Sequence, residues 1–436
     1  MTNRFVIAAG RSFNHAPQNP DRAPGASTTE FAFFLSSENA KGVKKTNKYP
    51  ENQSIPTSPE TSRQRQIAAI PCEKRNFLVL ISTGRPRYID AMKTGALFTL
   101  ALALLLTAAA YAADPPAYPD GRPVARLRID AKDEGPVLRH GDGPNRCDIL
   151  GARDICAYKA GDTYYMHYDG AGPKGWLACL ATSKDLVHWQ KKGPVLDLGA
   201  PGAEDSASAS YGVTYFDGKT WHMFYLGTPH ATPPPALIPS LPYLTLKAKA
   251  LSPAGPWTKQ PSVVPFRTKP GTYYADTASP GHVVKQGDEY LMFFSGSMKR
   301  TIGIARTKNL DGPWTIDPQP IVSPEEQIEN TSLYFEPANK TWFLFTNHIG
   351  LEGFEYTDAV WVYWTKVLNK WNAKDKAIVL DGKNCTWSKK CIGLPSVLPV
   401  KNRLAVLYDA PGGDSKSHMQ RDVGLAWLKL PLTPPK

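Results

Sequence analysis

The chain has 436 residues, with 51 Lys and Arg against 39 Asp and Glu and a formal net charge of +12. Residues 1–91 hold thirteen Lys or Arg against seven Asp or Glu, and together with Lys93 they account for seven of those charges, leaving +5 on the remainder. The length would accommodate two or three average domains, and no basic cluster follows the groove-tracking pattern of nucleic-acid binders, which excludes that class of partner.

Residues 1–91 are polar, lack sustained periodicity and read as disordered. At Met92 the text changes to Met92-Lys93-Thr94-Gly95, an apolar run from Ala96 to Ala110, and then Ala110-Tyr111-Ala112, with small residues three and one before a cut ahead of Ala113. This pattern predicts a secretory signal peptide over 92–112. The run is about 15 residues, short of the ~20 that span a bilayer. The expected product is 113–436, secreted or periplasmic, with no membrane partner after cleavage. Residues 1–91 are then an extension read from a misplaced start, with a long leader as the alternative.

Within 113–436 a strand-rich unit recurs five times. The first runs through Ile155 to Lys159, the turn Gly161-Asp162, Tyr164 to Tyr168, Leu177 to Thr182, and a polar turn into Trp189. The second has Gly212 to Phe216, Asp217-Gly218-Lys219, Trp221 to Leu226, Leu244 to Ala250, and Trp257. The third and fourth close on Trp314 and Trp371, and the fifth runs from Pro395 to Trp427. The four closing tryptophans stand 68, 57 and 57 residues apart. Alternation broken by Gly/Asp turns predicts antiparallel hairpins. About four strands per unit, with no long amphipathic helix between them, predict an all-β fold, a five-bladed β-propeller of four-stranded antiparallel blades around a central axis. The tryptophans are read as plates between sheets, without chemistry.

Function is expected where the inner strands begin, because those starts converge on the axis. Asp154 precedes the first inner strand, Asp276 the third and Glu329 the fourth. Three acids on a common axis repel one another, so at least one holds a proton near neutrality. One charged and one protonated carboxyl flanking a small cavity is what glycosidic hydrolysis requires. Read otherwise, the same acids would cap turns or hold a structural calcium ion; no cofactor is required. Export makes the cysteines candidates for disulfides, with Cys147 and Cys156 nine apart, Cys385 and Cys391 six apart, and Cys179 left as a buried thiol.

The stretch Asp154-Ile155-Cys156-Ala157-Tyr158-Lys159-Ala160-Gly161 resembles the first-blade motif of glycoside hydrolase family 43, and Glu329-Asn330-Thr331-Ser332-Leu333-Tyr334 is similar to that family's Glu-Gly-Pro-His-Leu-Tyr. The resemblance implies Asp154 as general base, Glu329 as general acid and Asp276 as the residue that tunes the acid. It also implies arabinose, xylose or galactose units in a plant or algal carbohydrate as substrate. Ile155 in place of the usual proline and Asn330-Thr331-Ser332 in place of Gly-Pro-His allow a sister family of the same superfamily (32, 62, 68 or 117), with a retaining fructan-type or agar-oligosaccharide activity. A propeller that binds carbohydrate without cleaving it is the alternative from another class. In the agar-oligosaccharide enzymes a histidine has been assigned as acid, which keeps His348 as a candidate. Further candidate contacts are Arg153, Asp205 with Glu204, Trp176 and Tyr274, then Tyr273, Phe354, Tyr356 and His282. The oligomeric state is not read from this sequence.

Overall fold

The computed structural model describes Arg122 and residues 124–297, 300–350 and 356–436. The predicted extension, the signal peptide and Phe354 lie outside the described residues, which belong to one compact unit, Ile89–Lys436. Helix among them is confined to two three-residue 3-10 turns, Pro144–Arg146 and Pro324–Glu326.

Two short strands, β1 (Leu127–Arg128) and β2 (Lys132–Leu138), precede a series of antiparallel meanders. The first consists of β3 (Gly151–Ala160), β4 (Thr163–Gly172), β5 (Gly175–Ser183) and β6 (Trp189–Pro194). The second has β7 (Ser208–Phe216) and β8 (Trp221–Thr228), the two-residue strands β9 (His230–Ala231) and β10 (Pro239–Ser240) as an inserted hairpin, then β11 (Leu244–Ala250) and β12 (Thr258–Lys259). β13 (Ala278–Gln286), β14 (Glu289–Gly296), β15 (Thr301–Thr307) and β16 (Thr315–Ile316) make the third. β17 (Ile328–Glu336), β18 (Thr341–Gly350), β19 (Tyr356–Thr365) and β20 (Lys376–Leu380) follow, with β1 parallel beside β20. β21 (Ser396–Val400), β22 (Arg403–Ala410) and β23 (Asp422–Lys429) come last, and β2 completes their sheet in the order β2-β23-β22-β21.

The predicted turns bend the chain for local reasons. Asp217 Oδ1 accepts from the amides of Lys219 (2.8 Å) and Thr220 (2.7 Å), which closes the β7–β8 hairpin. The recurring tryptophans stand at or just before the outer strands, and two of them follow Gly255 and Gly312, whose φ of +91° and +92° an L side chain resists. Trp189 and Trp371 each donate their indole N–H to the carbonyl three residues earlier, at 2.8 and 2.7 Å, while their rings pack on buried clusters. Trp427 differs from these four in lying within β23, because the outer strand of the fifth unit is β2, from the front of the chain.

The core lies between successive meanders rather than inside any one sheet. One cluster joins Met166 and Cys179 to Val213 and Leu425, and another joins Phe343 and Val362 to Val406 and Tyr408. The inner strands touch in cyclic order: β3 on β7, β7 on β13, β13 on β17, β17 on β21, and β21 back on β3. Hydroxyls stitch several of these neighbours, with amides of His282, Val397 and Ala157 donating to Thr331 Oγ1, Ser332 Oγ and Ser396 Oγ, each at 2.9 Å. That order brings the same end of every inner strand to one place.

Candidate active site

Four inner strands are bulged near their first residues: β3 between Arg153 and Cys156, β7 between Ser210 and Gly212, β13 between Ser279 and His282, and β17 between Glu329 and Ser332. At three of these bulges a non-glycine residue has positive φ: Asp154 (+45°), Tyr211 (+42°) and Asn330 (+63°). Each such residue costs on the order of 1 kcal/mol and needs its surroundings to hold it. The hold comes from the second strand of the preceding meander. Asp409 Oδ2 accepts the Asp154 amide at 3.0 Å, Asp169 Oδ1 accepts the Tyr211 amide, and Ser295 Oγ accepts the Asn330 amide at 3.0 Å. At the β13 bulge Pro280 has no N–H to offer, and the residue in the equivalent place on β8, opposite Ser210, is the apolar Leu226. On β18 the equivalent residue is Asn347, which donates to the carbonyls of Ile392 and Gly393 at 3.2 Å. A buried polar group therefore stands where a backbone group needs it, and nowhere else in the series.

Beside these bulges lies a cavity of about 130 Å³, walled by Arg153, Asp154, Asp169, Trp176, Tyr243 and His418, with Ile238 and Pro239 from the inserted hairpin on one side. The hairpin is tied down by Trp176 Nε1 to the Ala236 carbonyl (2.9 Å) and Tyr243 Oη to the Pro239 carbonyl (2.7 Å). Arg153 donates through Nε (3.0 Å) and Nη2 (3.2 Å) to Asp154, meets His418 Nδ1 at 2.8 Å and lies 5.1 Å from the Trp176 ring centre. Burial opposes the charge on Arg153, but Asp154 and Asp409 outweigh it and its pKa is raised. Burial and then the Asp154 charge push Asp169 well above the usual carboxylate range. Burial likewise raises Asp409, against the opposing pull of Arg421.

The structure brings Asp154, Asp169 and Glu329 into electrostatic reach of one group, the buried Tyr211 hydroxyl, whose pKa burial and these charges raise together. Asp154 and Glu329 are one residue out of register: Asp154 occupies a bulge, whereas Glu329 immediately precedes one and faces Asn347 across the ladder. Glu329 is buried, and Asp276 lies ahead of β13, where its carbonyl accepts the amide of the cavity residue Tyr243 at 3.2 Å. Arg153 and Trp176 line the cavity.

The other candidates sit elsewhere. Asp205 is buried under Tyr225 Oη (2.9 Å) and Lys259 Nζ (2.5 Å), and Glu204 pairs with Arg267 at the surface. Tyr274 and Tyr273 border a different surface hollow near Pro318. Tyr356 carries the Lys416 ammonium over its ring at 3.8 Å. His348 is fully buried, stacked 3.8 Å from Trp361 and 3.0 Å from Tyr363 Oη, and burial followed by Lys376 and Arg122 holds its pKa well below the ordinary value. That imidazole is neutral at physiological pH. His282 faces an axial cavity of about 80 Å³, and burial lowers it to about 4. The described residues contain no cluster of three or more metal-ligating side chains. Asp169, Asp409 and His418 are the site residues that sequence reasoning missed.

No protein-family profile matches the chain. Among solved structures it is similar to a complex described as BT0996 with RGII, at 15% identity and a TM-score of 0.53, over 70% of this chain and 96% of that one. It is similar also to one described as "Glycoside hydrolase", at 15% identity and a TM-score of 0.51, over 71% of this chain and 96% of the other. At these identities the likeness shows the fold alone, a β-propeller of the kind also found in glycoside hydrolases. A segment of 85 residues is 33% identical to the 1,2-beta-oligomannan phosphorylase of Thermoanaerobacter sp. (strain X514), covering 18% of this chain and 29% of that protein, so the chain spans less than a third of that curated relative's length.

Proposed function

We propose that the chain is an exported, five-bladed β-propeller glycoside hydrolase acting on plant or algal polysaccharides or their oligosaccharides. The cyclic contacts of β3, β7, β13, β17 and β21 support the blade count, and the pattern at 92–112 supports export. What supports the activity is Asp154 on the wall of the cavity beside Trp176, together with Glu329 at the start of another inner strand, both carboxyls acting with Asp169 to raise the pKa of the buried Tyr211.

In this reading Glu329 is the general acid that protonates the departing glycosidic oxygen, and Asp154, held by Arg153, takes a proton from the attacking water. Asp276 tunes the acid. A carboxyl separation of ~6.5 to 9.5 Å gives inversion and ~5 to 5.5 Å gives retention, and inversion is the expected outcome. The sugar is of the arabinose, xylose or galactose type. The match to the oligomannan phosphorylase favours one second reading, in which phosphate replaces water as nucleophile near Arg153 and His418.

The test is release of reducing sugar, and of sugar 1-phosphate when inorganic phosphate is present, from a panel of arabinans, xylans and galactans by the purified protein. Glu329→Gln and Asp154→Asn are each expected to lower kcat by roughly 10²- to 10⁴-fold. Activity that is unchanged in Glu329→Gln removes it as the acid; sugar 1-phosphate formed in place of new reducing ends selects the phosphorylase; binding without turnover selects a carbohydrate-binding propeller.

A further inference from the structure

Spacing makes 147–156 and 385–391 candidate pairs, and neither is bonded in this structure. All five described cysteines are thiols. Cys156 turns to the axial cavity and burial pushes its thiol up to about 11. Cys385 lies 3.5 Å from Tyr408 Oη and Cys391 3.5 Å from Arg421 Nη1. Cys147 instead neighbours Cys179, the residue left over by spacing: both lie in one buried cluster, and a β-carbon at Gly170 would touch both the Cys179 Sγ and the Cys147 carbonyl.

The contact is built into the sheet. Cys147 follows the 3-10 turn Pro144–Arg146, and its carbonyl rests over β4, where a β-carbon at Gly170 or Gly172 would stand 2.6 or 2.8 Å from it. A β-carbon at Gly170 would also stand 2.5 Å from Cys179 Sγ. Two missing side chains on one face of β4 thus let the Cys147 segment settle onto that face, which Cys179 shares as the cross-strand partner of Tyr168. Cys147 also borders a surface cavity of about 200 Å³ beside Asn145, Lys174 and Asp197, which gives a small reagent a way in.

We propose that Cys147 and Cys179 form a disulfide whenever the protein meets an oxidising thiol pool. Cys147 is the entry sulfur. The adjacent Cys179 thiol lowers its pKa against burial and the Asp148 charge, while the Cys179 thiol itself is pushed up, so Cys147 is the one of the two that ionises first. The Cys147 thiolate attacks one sulfur of a small-molecule disulfide such as oxidised glutathione, forming a mixed disulfide and expelling one glutathione thiolate. Cys179, deprotonated, then attacks the Cys147 sulfur and expels the second. Two cysteine thiols are oxidised, one external disulfide is reduced to two thiols, and the two protons pass to the leaving groups. The bond anchors the segment leading into β3, on which Asp154 stands, to β5.

The experiment uses the purified full chain, reduced, then treated with oxidised glutathione, alkylated and digested with trypsin without reductant. The expected product is peptide Cys147–Arg153 joined to peptide Gly175–Lys184. The same species should persist in Cys156→Ser and vanish in Cys179→Ala. Linkage of Cys147 to peptide Asp154–Lys159, which holds Cys156, overturns the proposal, as does alkylation of Cys147 and Cys179 to the same extent before and after oxidation.

Discussion

Asp169 and Asp409 occupy the same place on consecutive sheets of the ring, and each spends one oxygen on the amide of the next bulge. Their side-chain surroundings differ. Asp409 faces the guanidinium of Arg421, which is 3% exposed, so its carboxylate neutralises a buried charge as well as capping Asp154. Asp169 is pushed toward its neutral form, so its task is that of a hydrogen-bonding group rather than of a charge. Asp409→Ala should therefore cost about 3–5 kcal/mol, because it strands Arg421, whereas Asp169→Asn, isosteric with the neutral acid, should cost under about 1 kcal/mol. Urea unfolding of both variants measures this. Equal losses would mean that Asp169 is ionised in the folded protein.

The element that closes the ring is β2, seven residues from the front of the described chain laid against the last strand. Without it β23 would present an open edge, and Leu138, 3% exposed in the cluster shared with Val423 and Leu425, would lose its packing. Leu138→Ala is expected to cost about 2–4 kcal/mol, read as a fall in the urea midpoint at unchanged slope; a loss below about 0.5 kcal/mol would make β2 an accessory strand. The repeat itself is legible in the sequence because hairpin turns and closing tryptophans are local signals: the predicted Leu244–Ala250 strand coincides with β11. β2 is not legible, since its partner lies almost 300 residues away and its sequence, KDEGPVL, has no strand alternation. The site divides the same way. Asp154 and Glu329 stand at strand starts that the repeat itself marks, whereas Asp169 and Asp409 lie at strand ends and act on amides 42 and 255 residues distant. Cys147 and Cys179 are likewise matched by a face of β4 and two glycines, which spacing along the chain does not encode.

At the scale of the whole molecule, packing sheets around an axis buries polar side chains that a two-layer fold would leave at an edge, and imidazoles are the clearest case. Burial lowers His167 to about 3 and His282 to about 4, and it lowers His222 and His348 as well. A histidine depressed in the fold contributes stability that is fully present above its unfolded pKa near 6.5 and is lost as the pH falls toward the folded value. For His282 the window is therefore about 6.5 down to about 4. Asp169 and Asp409 act with the opposite sign, since carboxyls raised in the fold release that penalty as acid protonates them. Net acid sensitivity thus mixes the two, and a difference between variants isolates the imidazole. His282→Gln keeps a polar group on the axial cavity but cannot titrate there. The stability advantage of the wild type over His282→Gln should shrink by about 2 kcal/mol between pH 7 and pH 4.5, measured by urea unfolding at each pH; a difference independent of pH would place a protonated imidazole on the axis of the fold.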